Sequence, residues 1–197
     1  MSNWAALRGY ISDTVVRALR IDASTHTLMT LSYQHHEIHS GSGFRLSRRE
    51  TLASPATLSF SFKTPPSGDK IHLLTSASSS GAAYIELLEG ATVTNGTGTN
   101  QAAMCANREL AATSAILSIE ASPTTGSASR DATISADGLL LSGLNLGAGQ
   151  NKTSGNTAAR EEWVLAFNTI YAIRVTSGAA GNVINLELDW YEHTDKD

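Results

Sequence analysis

Over most of its length the chain alternates apolar and polar residues with a period of two, in short runs interrupted by turn residues. That pattern commits the sequence to β structure. In Thr57–Lys63, Leu58, Phe60 and Phe62 face one way and Thr57, Ser59 and Ser61 the other, and Pro65-Pro66 ends the run. In the Val183–Tyr191 run, Ile184, Leu186, Leu188 and Trp190 share one face, and Asn185, Glu187, Asp189 and Tyr191 share the other. Two more runs, Trp163–Phe167 and Tyr171–Thr176, precede it across Asn168-Thr169 and Ser177-Gly178, so the three together predict a meander. The runs Lys70–Thr75 and Ala82–Glu89 predict a hairpin or meander, Thr27–Tyr33 a strand covered on both faces, and Ile116–Glu120 a short strand. Two stretches rich in Gly, Thr and Asn, Gly90–Asn100 and Gly143–Ala159, predict loops. Many short strands without alternating helices predict an all-β fold, a jelly-roll-like antiparallel β-sandwich.

The segment Asn3–Arg20 has a different period. Trp4, Leu7, Ile11, Val15 and Leu19 recur at spacings of three and four, which places them on one helical stripe. The expected organisation is a short, partly helical N-terminal arm over residues 1–26 followed by a sandwich domain over residues 27–197. The five residues of the stripe are candidates for a contact with another subunit or for packing on the arm's own domain.

Composition narrows the function classes. The net charge is -4 and the basic residues are scattered, so no stripe is offered to nucleic acid or to an anionic membrane. The single cysteine, Cys105, excludes an intrachain disulfide framework. No apolar run approaches the roughly 20 residues that span a bilayer as a helix, and the N-terminus lacks the pattern of a signal peptide, so a product that is cytosolic when made is expected.

The residues that could carry chemistry gather at His35-His36-Glu37-Ile38-His39. On a strand, His35, Glu37 and His39 would share a face and could grip a transition metal. The segment is one residue short of the zinc-protease motif, in which the two histidines sit one helical turn apart. A structural role for His35, His36 and His39, bonding loop backbone or lining a subunit contact, is therefore expected, with no metal and no cofactor. Gly41-Ser42-Gly43 is not a nucleophile elbow, no glycine-rich segment ends in Gly-Lys-Ser/Thr, and Glu86, Glu89 and Glu120 are isolated carboxylates. The expectation is a protein that is not an enzyme.

Several segments together resemble a known family. They are Tyr33-Gln34-His35-His36-Glu37-Ile38-His39 with Gly41 and Phe44, Thr64-Pro65, Leu88-Glu89-Gly90, Asn107-Arg108, Glu162-Trp163-Val164-Leu165 and Trp190-Tyr191-Glu192-His193. In this order they resemble the landmarks of small virion structural proteins of tailed bacteriophages, the capsid decoration or cement proteins. Cys105-Ala106 and Glu109 depart from the more polar, arginine-richer stretch of that pattern. The resemblance implies a protein on the capsid surface that binds the major capsid protein and stabilises the shell. It also implies self-association, as a homotrimer or as a dimer across a two-fold, and carries no catalytic residues. The alternative is a tail-associated or receptor-binding adhesin on the same jelly-roll scaffold.

Overall fold

The structure, a computed structural model, describes residues 8–12, 15–18, 33–94, 98–147 and 162–194. It divides into two compact units, residues 1–36 and 37–197. In the first, strands β1 (Arg8–Ser12) and β2 (Val15–Ala18) pair antiparallel. The short helix expected near the N-terminus is instead α1 (Tyr33–Ser40). This corrects the helical reading of Asn3–Arg20. Ile11 and Val15 lie on strands, where Tyr10 and the β-branched Ile11, Val15 and Val16 are more at ease than in a helix. Trp4, Leu7 and Leu19 lie outside the described residues, as does the strand expected at Thr27–Ser32; Tyr33 begins the helix.

The second unit contains β3 (Gly43–Leu52), β4 (Thr57–Lys63), β5 (Lys70–Ser79), β6 (Ala83–Glu89), β7 (Thr92–Thr94), β8 (Thr99–Ala102) and β9 (Met104–Cys105). It continues with β10 (Leu117–Ser118), β11 (Ser127–Arg130), β12 (Thr133–Ala136), β13 (Leu139–Leu146), β14 (Trp163–Val164), β15 (Ile170–Ser177) and β16 (Asn182–His193). One sheet runs β13-β6-β15-β4-β11-β8, with β10 also on β4, and the other runs β14-β5-β16-β3-β9. The chain passes from sheet to sheet at each step β3, β4, β5, β6 and again from β15 to β16. Two facing layers result, β3-β16-β5-β14 and β4-β15-β6-β13, with every named pairing antiparallel. That is the jelly-roll order.

The expected meander of the last three runs and the hairpin of β5 with β6 are therefore corrected: consecutive strands face each other across the core instead of lying side by side. A period of two says which face of a strand is apolar. It does not say whether the next strand lies beside that face or opposite it. The core bears out the faces themselves. Leu58, Phe60 and Phe62 of β4 and Ile173 and Val175 of β15 oppose Ile184, Leu186, Leu188 and Trp190 of β16 and Leu46 of β3 in one buried cluster.

The predicted loops are partly strand. Within Gly90–Asn100, β7 pairs with β12, and Val93 and Ile134 cover Leu88, Ala91 and Ala172 on the outer face of the larger sheet. Within Gly143–Ala159, Gly143–Leu146 belong to β13, paired with β6. Gly138, at φ +71°, turns the chain into β13 so closely under β6 that a Cβ there would sit 2.3 Å from the Glu89 carbonyl oxygen.

Candidate functional site

The antiparallel registers bring one set of strand ends together: the start of β3 and β5, the end of β4, β6 and β16, and the start of β15. The landmark residues from Glu37 to His193, scattered in sequence, meet at this end.

Helix α1 leads into β3 through a complete helix-stop motif. Gly41, at φ +86°, donates its N–H to Ile38 O at 3.2 Å, and Ser42 N–H reaches back to Glu37 O at 3.0 Å. A side chain at position 41 would be strained by that φ, and its Cβ would also meet Leu110 Cδ1 at 2.8 Å. The segment after β9 grips the same corner. Asn107 Nδ2 donates to His39 O at 3.1 Å, and Ala106 N donates to Gly43 O at 2.8 Å.

The helix changes the reading of the histidines. Glu37 is buried while His35, His36 and His39 are exposed, so the strand arrangement with two imidazoles and a carboxylate on one face does not form. His35 and His39 stand one helical turn apart. Among the described residues no group of three or more His, Cys, Asp or Glu side chains is placed to hold a metal ion.

Trp190-Tyr191-Glu192-His193 divides between the two faces of β16. Trp190 stacks on Phe44 with ring centroids 6.0 Å apart and donates Nε1–H to Glu192 Oε1 at 2.9 Å. Glu192 also accepts from Ser114 Oγ at 2.5 Å and from Ala115 N–H at 2.9 Å, fastening the loop before β10 onto the last strand. Burial pushes the Glu192 carboxyl above the usual carboxylate range, against the pull of these donors.

On the outer face, Tyr191 stacks on His72 at 4.7 Å, and His72 stacks on His193 at 4.3 Å. Glu162, just before β14, accepts from Tyr191 Oη, and His72 Nδ1 lies 2.6 Å from its Oε1. Burial opposes ionisation of Glu162, but the Tyr191 and His72 hydrogen bonds outweigh it and hold the carboxyl below its ordinary value. Thr64 completes the end: its Oγ1 donates to Ala166 O at 2.7 Å and accepts from Thr169 N–H at 2.9 Å, and Asn168 N–H donates to Pro65 O at 2.9 Å. Gly90 N–H donates to Ile170 O at 2.8 Å.

Two of these residues carry a signal in the sequence. His72 falls between the core-facing Ile71 and Leu73, which sends it outward, and Glu192 continues the Ile184 to Trp190 face by two places, which sends it inward. Their partners, 90 residues away for His72 and 78 for Glu192, had none. Of the candidate arm residues, Ile11 and Val15 are on β1 and β2, and Trp4, Leu7 and Leu19 lie outside the described residues. Chemically, Glu162 and Glu192 are engaged in internal hydrogen bonds, and this end also turns outward the exposed Ile38 and His39 of α1 and Leu110. That is a surface suited to contact. No protein-family model, curated protein or solved structure matches the chain.

Proposed function

We propose that the chain is a structural protein of a tailed-bacteriophage virion, carried on the capsid surface, where it binds the major capsid protein and stabilises the shell without catalysis or cofactor. The observation that carries this reading is the gathering of the landmark residues at one end of the sandwich. Segments far apart in sequence interlock there through Asn107 to His39, Tyr191 and His72 to Glu162, and Thr64 to Ala166. The family resemblance therefore corresponds to one continuous piece of the molecule. The jelly roll supports the reading in a weaker way, because capsid proteins, lectins and cupins all use it and fold alone does not imply function.

Copy number tests the proposal. Gel densitometry of purified particles should give a stoichiometry comparable with the major capsid protein, and the recombinant chain should co-sediment with undecorated shells. A stoichiometry of a few copies per particle, with no binding to shells, would replace it with the tail-adhesin reading.

A further inference from the structure

We propose that Asp137-Gly138 is a latent modification site, an aspartyl link able to convert to isoaspartate, which the Arg174 guanidinium keeps unreacted in the folded protein. It is the one Asp-Gly step in the sequence, and it forms the turn from β12 to β13. Two structural demands meet there. Gly138 has φ +71°, and a Cβ on it would meet Glu89 O at 2.3 Å and Gly90 C at 2.8 Å, so only glycine serves. Asp137 is needed one place earlier as the ion-pair partner of Arg174 on β15. The dipeptide that results is chemically labile, because glycine sets no side chain beside its nitrogen and so hinders attack on the preceding carboxyl least.

In that attack the Gly138 nitrogen bonds to Asp137 Cγ and the bond from Cγ to one carboxyl oxygen breaks. The oxygen leaves as water, taking the amide proton and the carboxyl proton, and a five-membered succinimide remains. Water then adds to one of its two carbonyls. At Cγ it restores aspartate; at the main-chain carbonyl it leaves the chain running through Cγ, as isoaspartate. No oxidant or metal enters either step. The first step needs the carboxyl protonated and turned toward its own backbone, because a carboxylate repels a nucleophile and has no hydroxyl to lose.

The structure withholds both conditions. Arg174 Nη1 donates to Asp137 Oδ1 at 2.8 Å and Nη2 to Oδ2 at 3.1 Å, a two-pronged grip that fixes the carboxylate against β15. These hydrogen bonds hold the Asp137 carboxyl below its ordinary range, which keeps the reactive acid form scarce. Arg174 is held in turn, since its Nε donates to Glu86 Oε2 at 2.8 Å and Glu86 lies opposite it on β6. The Arg174 and Glu86 side chains are 21% and 14% exposed and that of Asp137 is 54% exposed, so the guard is fixed while the guarded group reaches water. Conversion would shift the carboxylate to the α-carbon, lengthen the turn by one methylene and break the tie to Arg174. Strand β12 enters this turn, and its Ile134 helps cover Leu88, Ala91 and Ala172. The outer cover of the larger sheet is therefore what the modification would loosen.

Peptide mapping with electron-transfer fragmentation, which tells isoaspartate from aspartate, measures the rate on the full chain incubated at neutral pH. It needs no capsid, so its outcome is separate from that of the proposed function. A synthetic peptide spanning residues 133–144 gives the unguarded rate. The folded wild type should convert more slowly than the peptide by about tenfold or more, the factor that one hydrogen bond to a charged group corresponds to. Arg174→Gln should raise the rate of the chain by about the same factor while its circular-dichroism spectrum stays β. Should that variant unfold, Arg174→Lys replaces it; lysine keeps the charge but not the fork, and its rate should also exceed that of the wild type. A wild type that converts as fast as the peptide would overturn the proposal. So would a folded Arg174 variant that converts as slowly as the wild type, since the packing around Gly138 would then account for the protection without the guanidinium.

Discussion

Replacing Trp190 by alanine should cost the fold about 3–5 kcal/mol, the range for removing a buried large aromatic. Trp190 is 4% exposed, stacked on Phe44 and bonded through Nε1 to the buried Glu192 carboxylate. Trp190→Phe separates the contributions. It keeps a ring against Phe44 but removes the donor, and a hydrogen bond to a charged group is worth about 1.5–3 kcal/mol, so it should recover roughly half of the alanine loss. If the donor matters through Glu192, the two sites are coupled. The cost of Trp190→Phe in a Glu192→Gln background should then fall by about 1 kcal/mol, within the usual range for residues in contact. Guanidinium unfolding followed by far-UV circular dichroism measures all five proteins, wild type included, and unchanged m-values would keep the comparison two-state. An alanine cost below about 1 kcal/mol would refute the placement of Trp190 in the core. Strict additivity in the cycle would refute the role given to Glu192.

Further outcomes follow from the same end of the sandwich. Tyr191→Ala should be nearly as costly as Trp190→Ala, at about 2–4 kcal/mol, because Tyr191 is buried beneath the Glu162 segment and bonded to its carboxylate; thermal melts would show it. Glu192 has a raised pKa in the folded state, so the folded protein takes up that proton more readily than the unfolded chain. Stability relative to Glu192→Gln should therefore rise as the pH falls from neutral through the folded pKa, and level off below the ordinary carboxylate value of about 4.3. Glu162 has a lowered pKa, so its contribution is present above the ordinary value and is lost as the pH falls through the lowered one. Denaturant titrations should show a loss below about pH 4 in the wild type that is diminished in Glu162→Gln. Deleting residues 2–20 should leave a cooperative β fold, since the main core cluster runs from Phe44 to Trp190; insoluble or unfolded protein would show that the segment belongs to that core.

The faces of the strands were legible because alternation reports them directly. Ile184, Leu186, Leu188 and Trp190 are buried, as their phase required, and so are Leu58, Phe60 and Phe62. Strand neighbours were not legible, because any strand with one apolar face can be covered either by a sheet partner's extension or by the opposite layer. At the N-terminus, Ile11 and Val15 stand four apart, a spacing that also suits two strands on either side of a short turn, and Ser12 does pair with Val15. In Tyr33–Ser40 the only large apolar residues are Tyr33 and Ile38, too few to register either period. The helix is instead marked by its stop, Gly41. The end cluster was half visible. Its members are recognisable as landmarks in the sequence, but only the fold reveals that they touch one another.

The placement of β15 and β16 also governs how the chain can acquire its structure. Each is the central strand of its layer, β15 between β4 and β6 and β16 between β3 and β5, yet both follow all of these partners in sequence. Until they emerge, β3, β4, β5 and β6 have no hydrogen-bonding partner on the sides that will hold them together, and every contact they await is distant in sequence. Such a topology closes late and slowly. A nascent or truncated chain ending before Ile170 would present four open apolar edges at once, a hazard for pairing with neighbouring copies. Assembly of the sandwich is therefore tied to the synthesis of these two strands.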